Sequence, residues 1–323
     1  MELFHNITDV PGIKVGNEEN KTGYTGCTVL LMEKGAVCGV DVRGSAPGTR
    51  ETDLLNPMNL VDRVHSICLA GGSAFGLDAA SGVMQFLEKE GIGLDVGVGV
   101  VPIVPSAVLF DLTVGDPSIR PDQKMGYQAA KNAEQGRFPF GNSGAGCGAT
   151  VGKVAGYHRA MKGGIGSASK VCPNGLIVGA IVAVNAIGEI RNPETGEVIA
   201  GARDDQGRIR SCLDWMLEQP VIPLRAGTNT TIGVVACNAK LTKSQASKVA
   251  SMAHDGLART IYPVHTMFDG DTIFSLATGD MEASVDLIGT IAADVLAEAV
   301  ILAIKSAEGI EGFPSSKEVN ESH

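Results

Sequence analysis

Aromatic side chains are scarce in this chain: they make up 4% of 323 residues, with a single Trp. A core therefore has to be built from Ala, Val, Ile and Leu. The 44% hydrophobic content and 42 Gly suit sheets and helices stacked closely together. The cysteines, at positions 27, 38, 68, 147, 172, 212 and 237, are odd in number and scattered, with no Cys-x-x-Cys pair. That spacing argues for reduced thiols and against both a disulfide framework and a metal cage. The six histidines are equally dispersed and form no His-Glu-x-x-His motif, so chemistry with no metal and no cofactor is expected. Positive charge is also short, 26 Lys and Arg against 36 Asp and Glu, for a net charge of −10. Neither nucleic acid nor an anionic membrane suits such a surface. The first six residues carry neither a basic n-region nor an apolar h-region, so no secretory signal is visible and a cytoplasmic location is expected. The apolar run over residues 96–104 is interrupted by Gly97, Gly99 and Pro102 and is too short to span a bilayer.

What is present reads as a single α/β (α+β) domain covering residues 1–323. Val- and Ile-rich segments at 27–32, 36–42, 94–104, 176–185, 231–238 and 272–278 have strand character. Helical stretches are expected over 73–90, with Leu77, Ala80, Val83 and Leu87 on one stripe, and over 242–257, opened by a Thr N-cap. A third, over 284–305, is apolar around much of its circumference and should lie between layers. Strands arrive in pairs without clean βαβ alternation, which favours two stacked mixed sheets with helices on both outer sides. The charged stretch 203–210 should be a surface loop, and the polar tail from residue 313 should be disordered.

Five segments could carry chemistry. Asn229-Thr230-Thr231 opens the apolar run Ile232-Gly233-Val234-Val235-Ala236. A Thr at a newly made N-terminus is a nucleophile with its own base, because the α-amine has a reference pKa near ~8. The same triplet is equally a turn or a glycosylation sequon. His265-Thr266-Met267-Phe268-Asp269-Gly270-Asp271 brings two carboxylates to the mouth of another apolar strand, where they could hold an ammonium, share a proton or cap a turn. Asn185 ends the strand-like run before Gly188 and could donate to an oxyanion, a contribution of ~3 kcal/mol, or start a turn. The glycine-rich stretch 141–153 fails as a phosphate loop because Val154 follows Lys153. It leaves a backbone able to approach a substrate and a Lys able to lower a neighbouring amine's pKa. Gly71-Gly72-Ser73-Ala74-Phe75 is only a loose match to a nucleophile elbow, with Ser73 as the rival nucleophile.

Taken together, these blocks resemble the N-terminal-nucleophile L-aminopeptidase/D-esterase family, which includes β-aminopeptidases and nylon-oligomer (6-aminohexanoate-oligomer) hydrolases. The resemblance begins at residues 7–16 (Ile7-Thr8-Asp9-Val10-Pro11-Gly12 onward) and 22–29 (Thr22-Gly23-Tyr24-Thr25-Gly26-Cys27 onward). It continues through Asp41-Val42-Arg43-Gly44, residues 69–77 and Pro105-Ser106-Ala107-Val108-Leu109-Phe110-Asp111. It ends with residues 144–153, Val184-Asn185, residues 229–238 and residues 265–274. It implies a four-layer αββα sandwich and self-cleavage between Asn229 and Thr230, giving a large subunit, 1–229, and a small one, 230–323. It also implies catalytic roles for Thr230, Asn185, Asp269, Asp271 and Lys153, and substrate contacts from Phe110, Gly144, Gly146 and Thr231.

The activity implied is an aminopeptidase or amidase acting on small peptides, amides or esters, assembled as a homotetramer of cleaved heterodimers. Two alternatives share the same nucleophile. One is an endo-type 6-aminohexanoate-oligomer hydrolase, although those enzymes have a functional Tyr where Phe110 stands here. The other is an acyltransferase similar to ornithine acetyltransferases, whose cut is followed by Thr-Met-Leu where this chain has Thr230-Thr231-Ile232.

Overall fold

Residues 25–42 form one 18-residue strand, where the sequence suggests two short ones. In the computed structural model, which describes residues 3–218 and 227–321, this strand is the spine of a nine-stranded mixed sheet. The strands are β1 (Lys14–Asn20), β2 (Thr25–Val42), β3 (Thr49–Arg50), β4 (Arg63–Ala70), β5 (Ser106–Val108), β6 (Gly164–Val171), β7 (Ile177–Asn185), β8 (Thr230–Ala239) and β9 (Thr272–Met281). Their order is β6-β7-β8-β9-β2-β4-β5-β3, with β1 alongside β2. The β8–β9 and β4–β5 pairs are parallel and the other pairs antiparallel.

Hydrogen bonding thus joins into one sheet what the sequence reading divides into two. At about 3.3 Å per residue, β2 is about 60 Å of chain, long enough to serve both halves. Its first half pairs with β1 and β4 and its second half with β9, and the register against β4 shifts between Leu31 and Ala36. Such an irregularity lets a strand bend.

Side chains alternate between faces with period two, and the burial follows that alternation. Val178, Ala180, Val182 and Val184 of β7 pack in a cluster with two long helices. Ile181 and Ala183 point the other way and meet Leu30, Ile67 and Leu69 from the β2–β4 half. Cys27, Val29, Leu31 and Cys68 then face a second pair of helices. The helices are α1 (Ala79–Lys89), α2 (Gln123–Lys131), α3 (Cys212–Glu218), α4 (Lys243–Thr260), α5 (Val285–Ser306) and α6 (Ser316–Glu321). The first two cover β2 and β4, and α4 and α5 cover the β6-β7-β8-β9 half.

Local chemistry sets the helix starts. Thr242 and Gln245 make a reciprocal capping box at α4. Ser284 caps α5, which approaches β6 so closely that a Cβ at Gly166 would lie 2.3 Å from the carbonyl oxygen of Ala299. By length and hydropathy α5 could cross a membrane, but 67% of its most apolar window is buried, as in a core helix. The helix expected from residue 73 begins instead as a 3-10 turn, Ser73–Asp78, because Ser73 is left-handed at φ 54°.

Two expectations are corrected. Residues 94–104 do not form a core strand: only Leu94–Asp95 and Val100–Val101 pair, in a small hairpin that exposes Val98 at 97%. Positive φ at Gly97 and Gly99 turns the chain back on itself. The tail expected to be disordered from residue 313 is ordered through α6. Val319 joins the main core, Ser316 Oγ donates to the Ile304 carbonyl at 3.3 Å, and the Ser315 N–H donates to Glu318 at 2.7 Å. The stretch 203–210 is a loop, as expected, closed by Asp204 accepting from the N–H groups of Gln206 and Arg208.

Phe274 is fully buried between the two halves of the sheet, in a chain with few aromatics. Phe274→Ala is expected to lower unfolding stability by about 3–5 kcal/mol. Denaturant titration should show an earlier midpoint with an unchanged slope.

Candidate active site at the strand ends

Register brings the candidate residues together. Asn185, the last residue of β7, is the antiparallel partner of Thr230, the first residue of β8. On the other side β9 runs parallel to β8, with Ile232 beside Thr272. The segment Asp269-Gly270-Asp271 therefore lies alongside Asn229-Thr230-Thr231, and Asn229 bridges to Asp269. The Gly270 N–H donates to the Asn229 carbonyl at 2.9 Å, and the Thr231 N–H donates to Asp271 Oδ1 at 2.6 Å. The Thr230 hydroxyl donates to the same Asn229 carbonyl oxygen. A Cβ at Gly270 would stand 2.9 Å from Thr230 Oγ1, so a larger residue there would crowd the hydroxyl. Asn229, Thr230, Asp269 and Asp271 are all buried.

A second arm comes from Lys153, which is fully buried. Its Nζ donates to the Asn185 backbone carbonyl and to Asn185 Oδ1, both at 2.9 Å. The Thr150 N–H donates to the same Oδ1 at 3.0 Å, which fixes the orientation of the Asn185 amide. Asn185 Nδ2 then donates to the Phe110 carbonyl at 3.0 Å, leaving one N–H of that amide for another acceptor. Phe110 enters through its backbone, with its ring half-buried.

Burial controls the electrostatics. It pulls the Lys153 amine down to about 7, against the opposing pull of Asp269, Asp111 and Asp271. It also pushes Asp269 up to about 6, with the neighbouring Asp271 adding to the rise and the Thr266 donors opposing it. The two carboxylates are held differently. Asp271 is filled on both oxygens, by Thr231 on Oδ1 and by His265 on Oδ2. Asp269 takes Thr266 N–H and Oγ1 on Oδ2, at 2.9 and 2.6 Å, and its Oδ1 has no donor among the described residues. An amide carbonyl with an N–H on its oxygen, an adjacent hydroxyl and a near-neutral amine are the parts needed for nucleophilic attack on that amide. Among the described residues no group of three or more His, Cys, Asp or Glu is placed to hold a metal.

Not every candidate joins the group. Gly144 is left-handed, donates its N–H to Glu19 at 2.9 Å and would place a Cβ 2.3 Å from Thr28 Oγ1. Gly146 packs against Ile165 and gives its carbonyl to Lys162. Both glycines serve close packing between β1, β2 and β6, and no contact links them to Thr230. The Thr231 side chain is buried, and its hydroxyl has no partner among the described residues. Ser73 does sit on a strained strand-to-helix turn, yet no histidine among the described residues bonds to it.

Sequence reasoning missed four contributors. His265 opens the His265–Asp271 block, and the acidic pair that follows it was the available signal. Tyr157 donates its hydroxyl to the Thr228 carbonyl at 3.3 Å, with Lys153 Nζ 5.9 Å from its ring centre. Thr150 holds Asn185, and Gly270 supplies the N–H on Asn229. None of these last three carries a signature in the chain.

The chain matches Peptidase family S58 over residues 5–318. It is 42% identical to an uncharacterized aminopeptidase of Mycobacterium leprae (strain TN), covering 97% of this chain and 93% of that one. It is 32% identical to a 6-aminohexanoate-oligomer endohydrolase of Kocuria sp. (strain KY2), covering 92% and 85%. In fold it is similar to a Burkholderia sp. β-aminopeptidase, with TM-score 0.70 at 20% identity, covering 99% and 93%. It is equally similar to the L-aminopeptidase D-Ala-esterase/amidase of Ochrobactrum anthropi, described as a new variant of the Ntn-hydrolase fold, with TM-score 0.71 at 19% identity over 97% and 91%. The large mixed sheet flanked by helices is that Ntn-hydrolase variant, and the chain belongs to Peptidase family S58, a family of hydrolases.

Proposed function

We propose that this protein is a self-processing aminopeptidase or amidase in which Thr230, freed by cleavage after Asn229, is the nucleophile. The observation that carries the reading is the set of contacts on one peptide bond: the Thr230 hydroxyl against the Asn229 carbonyl and the Gly270 N–H on its oxygen. The bent sheet with a helix pair on each outer face is read as a four-layer αββα stack, with these strand ends at one edge of its inner layers. The aminopeptidase relative at 42% identity supports the substrate class. The oligomer endohydrolase at 32% identity is the more distant likeness.

In the uncut chain, Thr230 Oγ1 attacks the Asn229 carbonyl carbon and the Gly270 N–H steadies the oxyanion. The C–N bond breaks, leaving an Asn229 ester on Oγ1 and a free Thr230 amine. Water then hydrolyses the ester and releases the Asn229 carboxylate. Lys153, bonded to Asn185, the strand partner of Thr230, and with its amine near 7, is the buried base for the hydroxyl proton, which it returns to the Thr230 nitrogen as the C–N bond breaks. In the cut enzyme the Thr230 amine replaces Lys153 as base. Thr230 Oγ1 attacks a substrate amide, the spare N–H of Asn185 donates to the new oxyanion, and water clears the acyl-enzyme. Asp269 Oδ1 is the acceptor left for an ammonium, either that of Thr230 or that of the substrate.

Intact mass and a denaturing gel test the first step. Wild type should give fragments 1–229 and 230–323, Thr230→Ala a single chain, and Thr230→Ser the same two fragments. A wild type that stays whole while hydrolysing an aminoacyl p-nitroanilide rules the mechanism out. The second test is pH. Holding an ammonium needs Asp269 ionised, and burial raises this group to about 6. Turnover of the p-nitroanilide should therefore fall as pH drops through about 6. Asp269→Asn should be slower and lose that acid limb; the same limb persisting in the variant assigns it to another group.

A further inference from the structure

His265 touches neither the Asn229–Thr230 bond nor its carbonyl, yet it is the residue most engaged with Asp271. Its backbone N–H and its Nδ1 both bond to Asp271 Oδ2, at 3.1 and 2.8 Å. The backbone is left-handed there, at φ 56°, an uncommon conformation for a residue with a side chain. It brings two donors of one residue onto one oxygen. The opposite oxygen, Oδ1, receives the Thr231 N–H at 2.6 Å. Asp271 is thus a strut between His265 and the residue next to Thr230.

The ring is braced in turn. It lies edge-on to the His254 ring, with centres 4.8 Å apart and planes at 74°. His254 is fully buried on α4, and its Nε2 faces the Asp41 carbonyl at 3.0 Å. A carbonyl can only accept, so Nε2 carries the His254 proton. Burial also pulls this imidazole down to about 4, leaving it neutral at ordinary pH. A carboxylate partner likewise places a proton on His265 Nδ1 in either charge state of that ring. The imidazole therefore has one available role toward Asp271, that of a fixed donor.

We propose that His265 is a positioning residue for the Thr230 nucleophile, acting through Asp271. By holding Asp271 Oδ2 it keeps Oδ1 on the Thr231 N–H, and so fixes where Thr230 Oγ1 and its released amine stand relative to the carbonyl under attack. It also commits Asp271 to the strand, which leaves ammonium binding to Asp269. The inference rests on the Thr230 reading given above. Displacement of a reacting group by about 1 Å can cost on the order of 10²-fold in rate.

The test compares substitutions that separate the donor from the backbone. Gly tolerates the left-handed conformation and keeps the backbone N–H on Asp271 but supplies no side-chain donor. Asn tolerates it too and puts an amide N–H close to the position of Nδ1. Self-cleavage of His265→Gly should slow by about 10²-fold, and its kcat for alanine p-nitroanilide should fall by a similar factor with KM nearly unchanged. His265→Asn should recover most of both. A glycine variant as fast as wild type, or Asn and Gly equally impaired, overturns the positioning role. If the glycine variant does not fold, His265→Asp keeps the comparison, being nearly isosteric with Asn but without the donor. A wild type that is neither cut nor active removes the nucleophile reading and this role with it. A wild type that is cut and active beside an unimpaired glycine variant removes this role alone.

Discussion

The parallel pairing of β8 with β9 at their first residues is the constraint on which the candidate site depends. It sets Asp269, Gly270 and Asp271 against Asn229, Thr230 and Thr231, and it does so with buried groups. A buried carboxylate is costly unless its lone pairs are met. Asp271 meets that cost with donors from the strand and from His265. The backbone is clamped as well. The N–H groups of Arg43 and Gly44 donate to the Asp271 carbonyl and that of Ala46 to the Asp269 carbonyl. A Cβ at Gly44 would come 2.3 Å from the Asp271 nitrogen, which accounts physically for the glycine in the Asp41-Val42-Arg43-Gly44 block.

Two buried lysines extend the same logic. Lys153 spends its Nζ on Asn185, and Lys162 spends its own on the carbonyls of Gly146, Ala149 and Gly163, each at 3.0 Å. Burial pulls both amines down, Lys162 to about 8. Lys162 ties the glycine-rich turn at Ala149, one residue before the Thr150 N–H that locks Asn185. The glycine-rich segment therefore acts on the site as a rigid support. Its glycines are there because backbone passes close to β1, β2 and β6.

Much of this was legible in the chain. Val- and Ile-rich runs located β7 and β8 to within a residue and the start of β9, which runs on past the expected end at 278 to Met281. The Thr242 cap located the start of α4, and the apolar stretch 284–305 located α5. The exposed hairpin near Val98 and the ordered tail were not legible. An apolar run has the same composition whether or not a partner strand is present, and Val319 is buried only because a surface exists to receive it. The Asn229-Thr230 step and the acidic pair stood out by sequence. The donors that organise them, Gly270 N–H, Thr150 N–H and His265 Nδ1, did not, since any backbone N–H and most histidines look alike in a sequence.

Sequence by itself determined the secondary-structure periods, the small-residue core and the presence of one hydroxyl at the head of an apolar strand. Those depend on residue type and spacing along a single segment. Tertiary structure alone decided that residues 153, 185, 230, 269 and 271 meet, that β2 carries both halves of one sheet, and that Asp269 rather than Asp271 keeps an open oxygen. Those outcomes depend on register between strands far apart in the chain, and on which donor reaches a buried oxygen first.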